Sequence, residues 1–253
     1  MKTRKIKHKL LNGGKETEIH YPIKDDEFDN QVEEIFFDGN YGFHLPKDGV
    51  YMDLGANVGL ATLYFANFAK KIYAVEPNPD IYEALVENTK HLKNVETFNV
   101  AWANGTGKEF LYGTKSGDLP QTLWDRGWNK GNTPASAIVA DCITPTDFWE
   151  DNKIGHIDLL KVDIEDAEYI IFPSDDFGKI TKDIDAIIGE AHFGVNGGFP
   201  EIIPALLNEW GFKTTFPKLK KHNYRRYFKY TDLRTNIRKE YQLDSDTIFL
   251  SKK

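Results

Sequence analysis

Residues 50–77 decide the fold of this chain, and they read VYMDLGANVGLATLYFANFAKKIYAVEP. Val50–Leu54 is mostly apolar and predicts a buried strand, and the glycine-bounded residues 55–59 predict a tight turn. An apolar segment at helical spacing follows, and Ile72–Val75 predicts a second short strand with Glu76 at its carboxyl end. The stretch therefore predicts a strand–helix–strand unit with a glycine turn after its first strand and a carboxylate after its second.

This pattern suits a bound nucleoside, because glycines let the backbone approach the ligand and a carboxylate accepts hydrogen bonds from ribose hydroxyls. A dinucleotide site has the pattern G-x-G-x-x-G, with a helix N-terminus that faces a pyrophosphate. Here Asn57 replaces the second glycine, and the acid Asp53 precedes the turn. A carboxylate there suits a ligand with an amino group and no phosphates. The pattern favours S-adenosylmethionine (SAM) over NAD, and the plain alternative is an ordinary turn without a ligand.

Further motifs downstream carry a resemblance to a known family. Four stretches resemble, in order, the motifs of the FkbM family of SAM-dependent methyltransferases: residues 53–59 (DLGANVG), 76–79 (EPNP), 158–168 (DLLKVDIEDAE) and 190–192 (EAH). The resemblance spans about residues 41–193. The family usually has Gly where this chain has Asp166. Asp tolerates a left-handed backbone better than most residues do, though less well than Gly.

The resemblance implies an α/β fold of the Rossmann-like class I methyltransferase type, with a mostly parallel seven-stranded sheet and helices on both faces. At 253 residues, the chain is long enough for one such domain. We expect an N-terminal extension over residues 1–40 and a methyltransferase domain over residues 41–253. Residues 105–137, rich in Gly, Asn, Ser and Thr, and residues 218–240 are expected to be inserts in that domain.

Local patterns predict several further elements. The extension is expected to hold a hairpin of Lys5–Leu11 with Glu16–Tyr21, and a short helix over Asp29–Phe37. Another helix is predicted over Asp80–Leu92, with Val86 among its inward-facing residues. The predicted closing antiparallel pair, near the C-terminus, consists of residues 212–216 and 247–250.

Composition limits the function classes and the location of the protein. The net charge of −7 argues against wholesale binding of nucleic acid. The single cysteine, Cys142, cannot form an intrachain disulfide, which agrees with a reducing compartment. No apolar run has the length of a signal peptide or a membrane span. We therefore expect a cytoplasmic protein with no membrane partner; its oligomeric state is not predicted.

In an open α/β sheet, ligands bind at the carboxyl ends of the strands near the point where strand order reverses. The resemblance and this rule together assign a cofactor site at that edge. Its predicted residues are Asp53, Gly55, Ala56, Asn57, Gly59, Glu76, Pro77, Ala101 and Trp102. Within this set, Trp102 fits a plain core position at least as well as a contact with adenine.

Candidate catalytic residues come from two later strands that we expect to be neighbours. Asp163 and Glu165 are predicted just past the fourth strand, and Glu190 and His192 just past the fifth, so four polar groups converge beside the methyl position. His192 is the best candidate for a base, because its ordinary pKa is near neutrality. Asp163 is the second candidate, and Glu190 completes the predicted catalytic set. Glu165 is assigned to the substrate pocket.

The same four residues also permit a metal hypothesis. A divalent ion held by Asp163, Glu165, Glu190 and His192 could orient two oxygens of a diol, as in other O-methyltransferases. The spacing of the residues does not require an ion, and we do not predict one.

Residues 218–240 form a basic segment, with nine Lys or Arg residues against two acids and four interleaved aromatic residues. A solvated loop is the common interpretation of such a run. The aromatic residues also suit an anionic or sugar-bearing partner. We assign Tyr224, Arg225 and Arg226 to substrate binding on that second interpretation.

The sequence thus predicts a SAM-dependent methyltransferase. The family resemblance adds O-methylation of a hydroxyl on a sugar, a glycan or a natural product, so we expect a small-molecule or glycan substrate. The basic segment 218–240 makes an anionic substrate one option. The alternative is a non-catalytic or RNA-directed binding module that uses the basic segment.

Overall fold

The computed structural model describes residues 1–42, 44–113, 137–192, 202–215, 226–232, 237–243 and 246–253. Within these ranges it describes the backbone alone at Asn12, at residues 191–192 and at residues 226–249. Predictions for the side chains of Tyr224, Arg225, Arg226 and His192 therefore lie outside the described residues.

The strands alternate with helices through the middle of the chain. In chain order, the strands of the described residues are β1 (Lys2–Lys7), β2 (Glu16–Tyr21), β3 (Val50–Leu54), β4 (Lys71–Val75), β5 (Val95–Phe98), β6 (Ala101–Trp102), β7 (Gly107–Tyr112), β8 (Ala137–Ile143), β9 (Leu159–Val162), β10 (Ala186–His192), β11 (Lys213–Thr215), β12 (Arg226–Asp232), β13 (Ile237–Leu243) and β14 (Asp246–Lys252). The α-helices are α1 (Asp25–Val32), α2 (Leu60–Phe65), α3 (Pro79–Thr89), α4 (Pro145–Asp151), α5 (Glu168–Ile171), α6 (Asp175–Ile180) and α7 (Ile203–Asn208).

Among the described residues, the central sheet has seven strands in the order β11-β14-β10-β9-β3-β4-β5. The five strands from β10 to β5 are parallel, and β14 is antiparallel to both of its neighbours, β10 and β11. The chain starts this sheet at β3, moves outward to β5, and then returns to β9 on the other side of β3. The strand order therefore reverses between β3 and β9, where an open α/β sheet binds its ligands.

Side chains alternate between the two faces of the sheet and build two hydrophobic clusters. On β3, Tyr51 joins the cluster that contains residues of α1, α2 and α3. Its neighbours Met52 and Leu54 join the cluster that contains residues of α4 to α7. Helices thus cover both faces, and the predicted Rossmann-like fold with a mostly parallel sheet is confirmed.

The N-terminal extension packs into the first of these clusters. Asn88 on α3 accepts a hydrogen bond from the backbone N–H of His20 on β2 (2.8 Å) and donates to its carbonyl (2.9 Å). The predicted position of the first hairpin strand, Lys5–Leu11, is wrong, because the observed strand Lys2–Lys7 ends before a 3-10 turn at Asn12–Gly14. Leu11 is buried at that turn instead of lying in a strand.

Two other helix predictions need correction. The helix of the extension begins at Asp25 rather than Asp29, because three acids in its first turn favour the positive end of the helix dipole. It continues as a π-helix over Glu33–Asp38. On α3, Val86 is 37% exposed rather than inward-facing, and the buried positions of this helix include Asn88.

The predicted inserts are described only in part. β7 and β8 are antiparallel to each other and form a separate three-stranded sheet with β6, while residues 114–136 between them lie outside the described residues. β12 lies within the basic segment and pairs in antiparallel register with β13, which begins in the segment and extends past it to Leu243. The boundary at residue 40 and the two insert assignments remain predictions. In the described part of the chain, every helix is too short or too polar to span a bilayer.

Candidate active site

The glycine turn after β3 is fixed by close contact with the backbone that follows β9. Gly55 has φ 79°, and a Cβ built on it would lie 1.8 Å from the carbonyl oxygen of Asp163. Asn57 (φ 50°) and Gly59 (φ 90°) also adopt positive φ. The N–H groups of Gly55 and Ala56 both donate to the carbonyl of Val75 at the end of β4. Only glycine fits at position 55, because any side chain would overlap the neighbouring backbone.

Glu76 follows β4 at the carboxyl edge and is almost fully buried. Its Oε2 accepts a hydrogen bond from the N–H of Asn57 (3.0 Å), and its Oε1 accepts one from the N–H of Asn78 (2.8 Å). Burial raises the pKa of Glu76 from 4.5 to about 7, against the opposing effect of these two N–H donors. Each carboxylate oxygen can accept a second hydrogen bond, so the group keeps acceptor capacity for a ligand hydroxyl.

Asp53 is fully buried on β3, directly beside Lys161 in the register of β3 with β9. Its Oδ2 accepts a hydrogen bond from the Thr62 hydroxyl on α2 (2.6 Å), and its Oδ1 lies 3.2 Å from the ammonium of Lys161. The carboxylate therefore ties the sheet to α2. Sequence reasoning assigned it only to the cofactor.

Lys161 links the glycine turn after β3 to the carboxylate that follows β9, a role that the sequence analysis did not predict. Its ammonium donates to the carbonyl of Gly55 (2.7 Å) and forms ion pairs with Asp53 and with Asp163 (3.3 Å). Burial acts to lower the pKa of Lys161, but Asp163, Asp53 and Glu190 outweigh it, and the pKa is raised. The sequence signal was a single cation inside a strand of apolar residues.

Tyr41 is a second residue that sequence reasoning missed. Its side chain is 3% exposed, and its hydroxyl oxygen lies 3.2 Å from Oδ2 of Asp163 and 2.9 Å from Oε1 of Glu190. The ammonium of Lys161 lies 5.5 Å from the centre of the Tyr41 ring. Two of the predicted catalytic carboxylates, Asp163 and Glu190, thus meet at one buried hydroxyl.

The prediction that Glu190 and His192 lie beyond their strand is wrong. β10 runs through His192, because antiparallel pairing with β14 continues as far as His192 opposite Asp246. The predicted neighbourhood of β9 and β10 does hold, since the two strands are parallel and adjacent. Glu190 therefore projects from the sheet itself toward Tyr41.

The remaining predicted residues are dispersed around this edge. Glu165 (φ 54°) and Asp166 (φ 79°) both adopt left-handed backbone after β9, and Asp166 is fully buried. Trp102 is 2% exposed, and its ring contacts Phe148 on α4 at 5.8 Å between centroids. Ala101 lies beside it in β6. Left-handed backbone is the conformation that glycine adopts most readily, which agrees with the glycine at this position in the family that the sequence resembles.

The described residues fit the nucleoside cofactor that the sequence predicts. Buried polar atoms ordinarily have hydrogen-bond partners. Asn40 Oδ1 and Trp102 Nε1 are buried and have none among the described residues. These two atoms can each take a ligand partner, and the glycine turn and Glu76 supply a close backbone approach and hydrogen-bond acceptors at this end of the sheet.

A different set of side chains has metal-ligand spacing. Within the described ranges, His156, Asp158 and Asp185 are the group whose ligand atoms lie within 4.8 Å of one another. Asp158 precedes β9 and Asp185 precedes β10, so this group lies at the amino edge of the sheet. It is not part of the site at the carboxyl edge.

Comparison with known proteins identifies the family. Residues 53–214 match the model of the methyltransferase FkbM domain. The chain is 27% identical over 178 residues to the hexuronic acid methyltransferase AglP of Haloferax volcanii, a match that covers 68% of this chain and 67% of AglP. It is 28% identical over 223 residues to the AMB antimetabolite synthetase AmbE of Pseudomonas aeruginosa, a match that covers 72% of this chain and 10% of AmbE.

Among solved structures, the chain is similar to Aeropyrum pernix fibrillarin in complex with natively bound SAM. The identity is 10% and the TM-score 0.47, with 99% of this chain and 82% of that chain covered. The family model covers more than half of the sequence, from the glycine turn to β11. The chain is therefore a methyltransferase of the FkbM family, and its cofactor is SAM.

Proposed function

We propose that this methyltransferase transfers a methyl group to a hydroxyl of a sugar or glycan, with a sugar acid as the first acceptor to test. The observation that carries the proposal is the meeting of Asp163 and Glu190 at Tyr41, next to the turn at Gly55. Hydroxyl methylation needs a group that takes a proton, and these carboxylates are suitable acceptors of one or suitable partners of a base.

The bound cofactor supplies a methyl group on a positively charged sulfur. The chain must then hold the acceptor oxygen in line with that methyl group and remove its proton as the O–C bond forms and the S–C bond breaks. We assign proton removal to His192, with Asp163 as the second candidate and Glu190 as a group that orients the acceptor. Glu165, half-buried after β9, is assigned to the acceptor pocket.

We assign the cofactor to the turn and to the end of β4. The residues that would hold it are Asp53, Gly55, Ala56, Asn57 and Gly59 on one side and Glu76, Pro77, Ala101 and Trp102 on the other. Asp53 acts there through Thr62 and Lys161, because its own carboxylate is fully buried.

A sugar acid is the preferred acceptor for two reasons. The relative AglP is a hexuronic acid methyltransferase. The basic segment 218–240 would attract a carboxylate-bearing acceptor, with Arg225 and Arg226 binding the anion and Tyr224 stacking on a sugar ring. The alternative acceptor is RNA, for which the same basic charge is suitable.

The test is a methyl-transfer assay with purified protein, SAM, a panel of uronic acids, the matching neutral sugars and an RNA pool. Formation of S-adenosylhomocysteine and of a methylated product is followed by mass spectrometry. We expect product with uronic acids and large losses of kcat, on the order of 100-fold or more, in His192→Gln or Asp163→Asn.

Asp185→Asn is the control, because it removes a carboxylate from the amino edge of the same sheet. It should leave the rate unchanged. Product formed from RNA but from no sugar would contradict the proposal. Full activity in all of the site variants would contradict the residue assignment.

A further inference from the structure

Tyr41 belongs to a segment that precedes the methyltransferase motifs, yet it reaches the carboxyl edge of the sheet. The π-helix Glu33–Asp38 ends at Gly39, which adopts φ 71°, and the N–H of Asn40 donates back to the carbonyl of Glu34. This reversal directs Tyr41 into the sheet edge, where it is buried. The segment that directly follows the N-terminal extension therefore delivers one side chain to the site.

The hydroxyl of Tyr41 has one hydrogen but lies within hydrogen-bond distance of two carboxylates, Asp163 and Glu190. Two neighbouring carboxylates repel each other when both are ionised. A shared donor reduces that cost, and the ammonium of Lys161 on the Asp163 side reduces it further. The charged groups that face Tyr41 are Asp163, Glu190, Asp53 and Lys161.

Burial, Asp163 and Glu190 raise the pKa of the Tyr41 hydroxyl well above its ordinary value. The phenol therefore stays protonated at neutral pH, where it is a hydrogen-bond donor and not a base.

We propose that Tyr41 is a positioning residue for methyl transfer, whose hydroxyl holds the Asp163 and Glu190 carboxylates together in their ionised form. This inference rests on the proposed function, because it assigns these two carboxylates to the acceptor. It adds a residue outside the family motifs and gives the N-terminal segment a role in the reaction.

Tyr51 provides a matched control for a substitution at Tyr41. Both tyrosines are buried, and both rings contact Phe65, at 6.1 Å for Tyr41 and 5.6 Å for Tyr51. The Tyr51 hydroxyl donates to the backbone carbonyl of Pro46 (2.7 Å), which is uncharged. Tyr41→Phe and Tyr51→Phe thus remove the same atom from similar surroundings, but only the first removes a donor to carboxylates.

The first experiment measures thermal unfolding of both variants without any acceptor, at about pH 5 and about pH 8. In wild type, the Tyr41 hydroxyl favours the ionised carboxylates, so its contribution to stability should grow as pH rises. We expect the loss of Tm in Tyr41→Phe to be larger at pH 8 than at pH 5 by about 2–4 °C. The loss in Tyr51→Phe should be the same at both pH values.

The second experiment measures kinetics with the acceptor found in the uronic-acid panel. Tyr41→Phe should lower kcat by about tenfold, the size of one lost hydrogen bond, and leave the KM for SAM unchanged. The acidic limb of kcat/KM should move to higher pH, because a carboxylate that loses a donor is protonated more readily. Tyr51→Phe should leave the pH profile where it is.

Equal, pH-independent losses of Tm in the two variants would overturn the inference and reduce Tyr41 to a packing residue. If Tyr41→Phe does not accumulate as folded protein, Glu190→Gln reports on the same hydrogen bond from its other end. Its loss of Tm must also grow from pH 5 to pH 8, and a constant loss would overturn the inference. A wild-type protein that methylates no sugar would contradict only the proposed function, since the unfolding measurements use no acceptor.

Discussion

At Glu76, burial favours the protonated carboxyl group, whereas cofactor binding favours the ionised carboxylate. The burial that places the group at the end of β4 raises its pKa to about 7, so a large fraction is protonated at neutral pH without cofactor. Hydrogen bonds from ribose hydroxyls favour the ionised form. Cofactor binding should therefore release a proton from this residue near neutral pH.

The affinity for SAM should rise with pH for this reason. We expect Kd to fall by about tenfold between pH 6 and pH 8, the range over which the group ionises. Calorimetry at both pH values, in two buffers of different ionisation enthalpy, measures the affinity and the released proton. Glu76→Gln should bind more weakly and lose the pH dependence. Glu96→Gln, which changes an exposed glutamate paired with Lys71, is the control and should keep it.

The raised pKa of Glu76 also affects folding stability, which should fall with rising pH where the affinity for SAM rises. The folded-state pKa of Glu76 is raised above its ordinary value of 4.5, so the protonated carboxyl stabilises the fold below that value. This contribution is lost as pH rises through about 7 in the cofactor-free protein. Bound cofactor offsets the loss, because it binds the ionised form.

Gly55 provides a second prediction at the scale of one residue. Gly55→Ala places a Cβ 1.8 Å from the Asp163 carbonyl oxygen, at φ 79°. We expect a loss of about 3 kcal/mol or more in the free energy of unfolding, measured with denaturant. Gly211→Ala is the matched control, because Gly211 has φ 85° but no atom within 4 Å of the added Cβ. It should cost about 1–2 kcal/mol, the strain of a left-handed backbone alone. Equal losses in the two variants would contradict the close approach at Gly55.

At the scale of the element, three of the described helices, α3, α4 and α6, begin at a residue whose side chain caps the first turn. α4 begins with Pro145 after Thr144, and the Thr144 hydroxyl accepts a hydrogen bond from the N–H of Asp147 (3.1 Å). Thr144 is thus the N-cap of this helix, and Pro145 lies in its first turn. The helix packs Phe148 and Trp149 into the second cluster, next to Trp102.

We expect Thr144→Ala to lower the free energy of unfolding by about 1 kcal/mol, because one backbone N–H of the first turn loses its acceptor. Thr144→Ser keeps the oxygen and should lose only a few tenths of that amount. Chemical denaturation of both variants measures the difference. Equal losses would show that the methyl group, rather than the cap, is responsible.

At the scale of the whole molecule, the site exists because the chain returns to the middle of its sheet. β3 and β9 are far apart in sequence but adjacent in space, and their register sets Asp53 beside Lys161. The turn after β3 and the loop after β9 then touch at Gly55 and Asp163. β10 and the N-terminal segment add Glu190 and Tyr41 from two further directions.

The distribution of charge gives a prediction at the same scale. The net charge is −7, while residues 218–240 are strongly basic. Replacing Arg225 and Arg226 with Gln should raise the KM for a sugar acid at low salt and flatten its salt dependence, with little change in kcat, because long-range attraction is screened by salt. Steady-state kinetics at low and at near-physiological ionic strength provide the measurement.

Lys15→Gln combined with Lys93→Gln changes the net charge equally at exposed positions elsewhere. This control should leave both KM and its salt dependence unchanged. An Arg225 and Arg226 variant that also behaves as wild type would restore the interpretation of the basic segment as a solvated loop.

The sequence by itself determined the strand–turn–helix at residues 50–65, the acid at Glu76 and the neighbourhood of β9 and β10. These features depend on local patterns: apolar runs, glycine spacing and the chain order of the motifs. Element boundaries were less well determined, as at β1 and α1. The pairing of β10 with β14 that carries the strand through His192 is a contact between distant residues, which no local pattern encodes.

Only the tertiary structure decided the polar network of the site. Tyr41 has no distinguishing pattern in the sequence, and Lys161 stands out only as a single cation in an apolar strand, a pattern that does not identify its partners. Their roles follow from the pairing of β3 with β9 and from the reversal at Gly39, which bring Asp53, Asp163 and Glu190 around them. A buried charge is stable only where partners converge on it, and that convergence is a property of the folded chain.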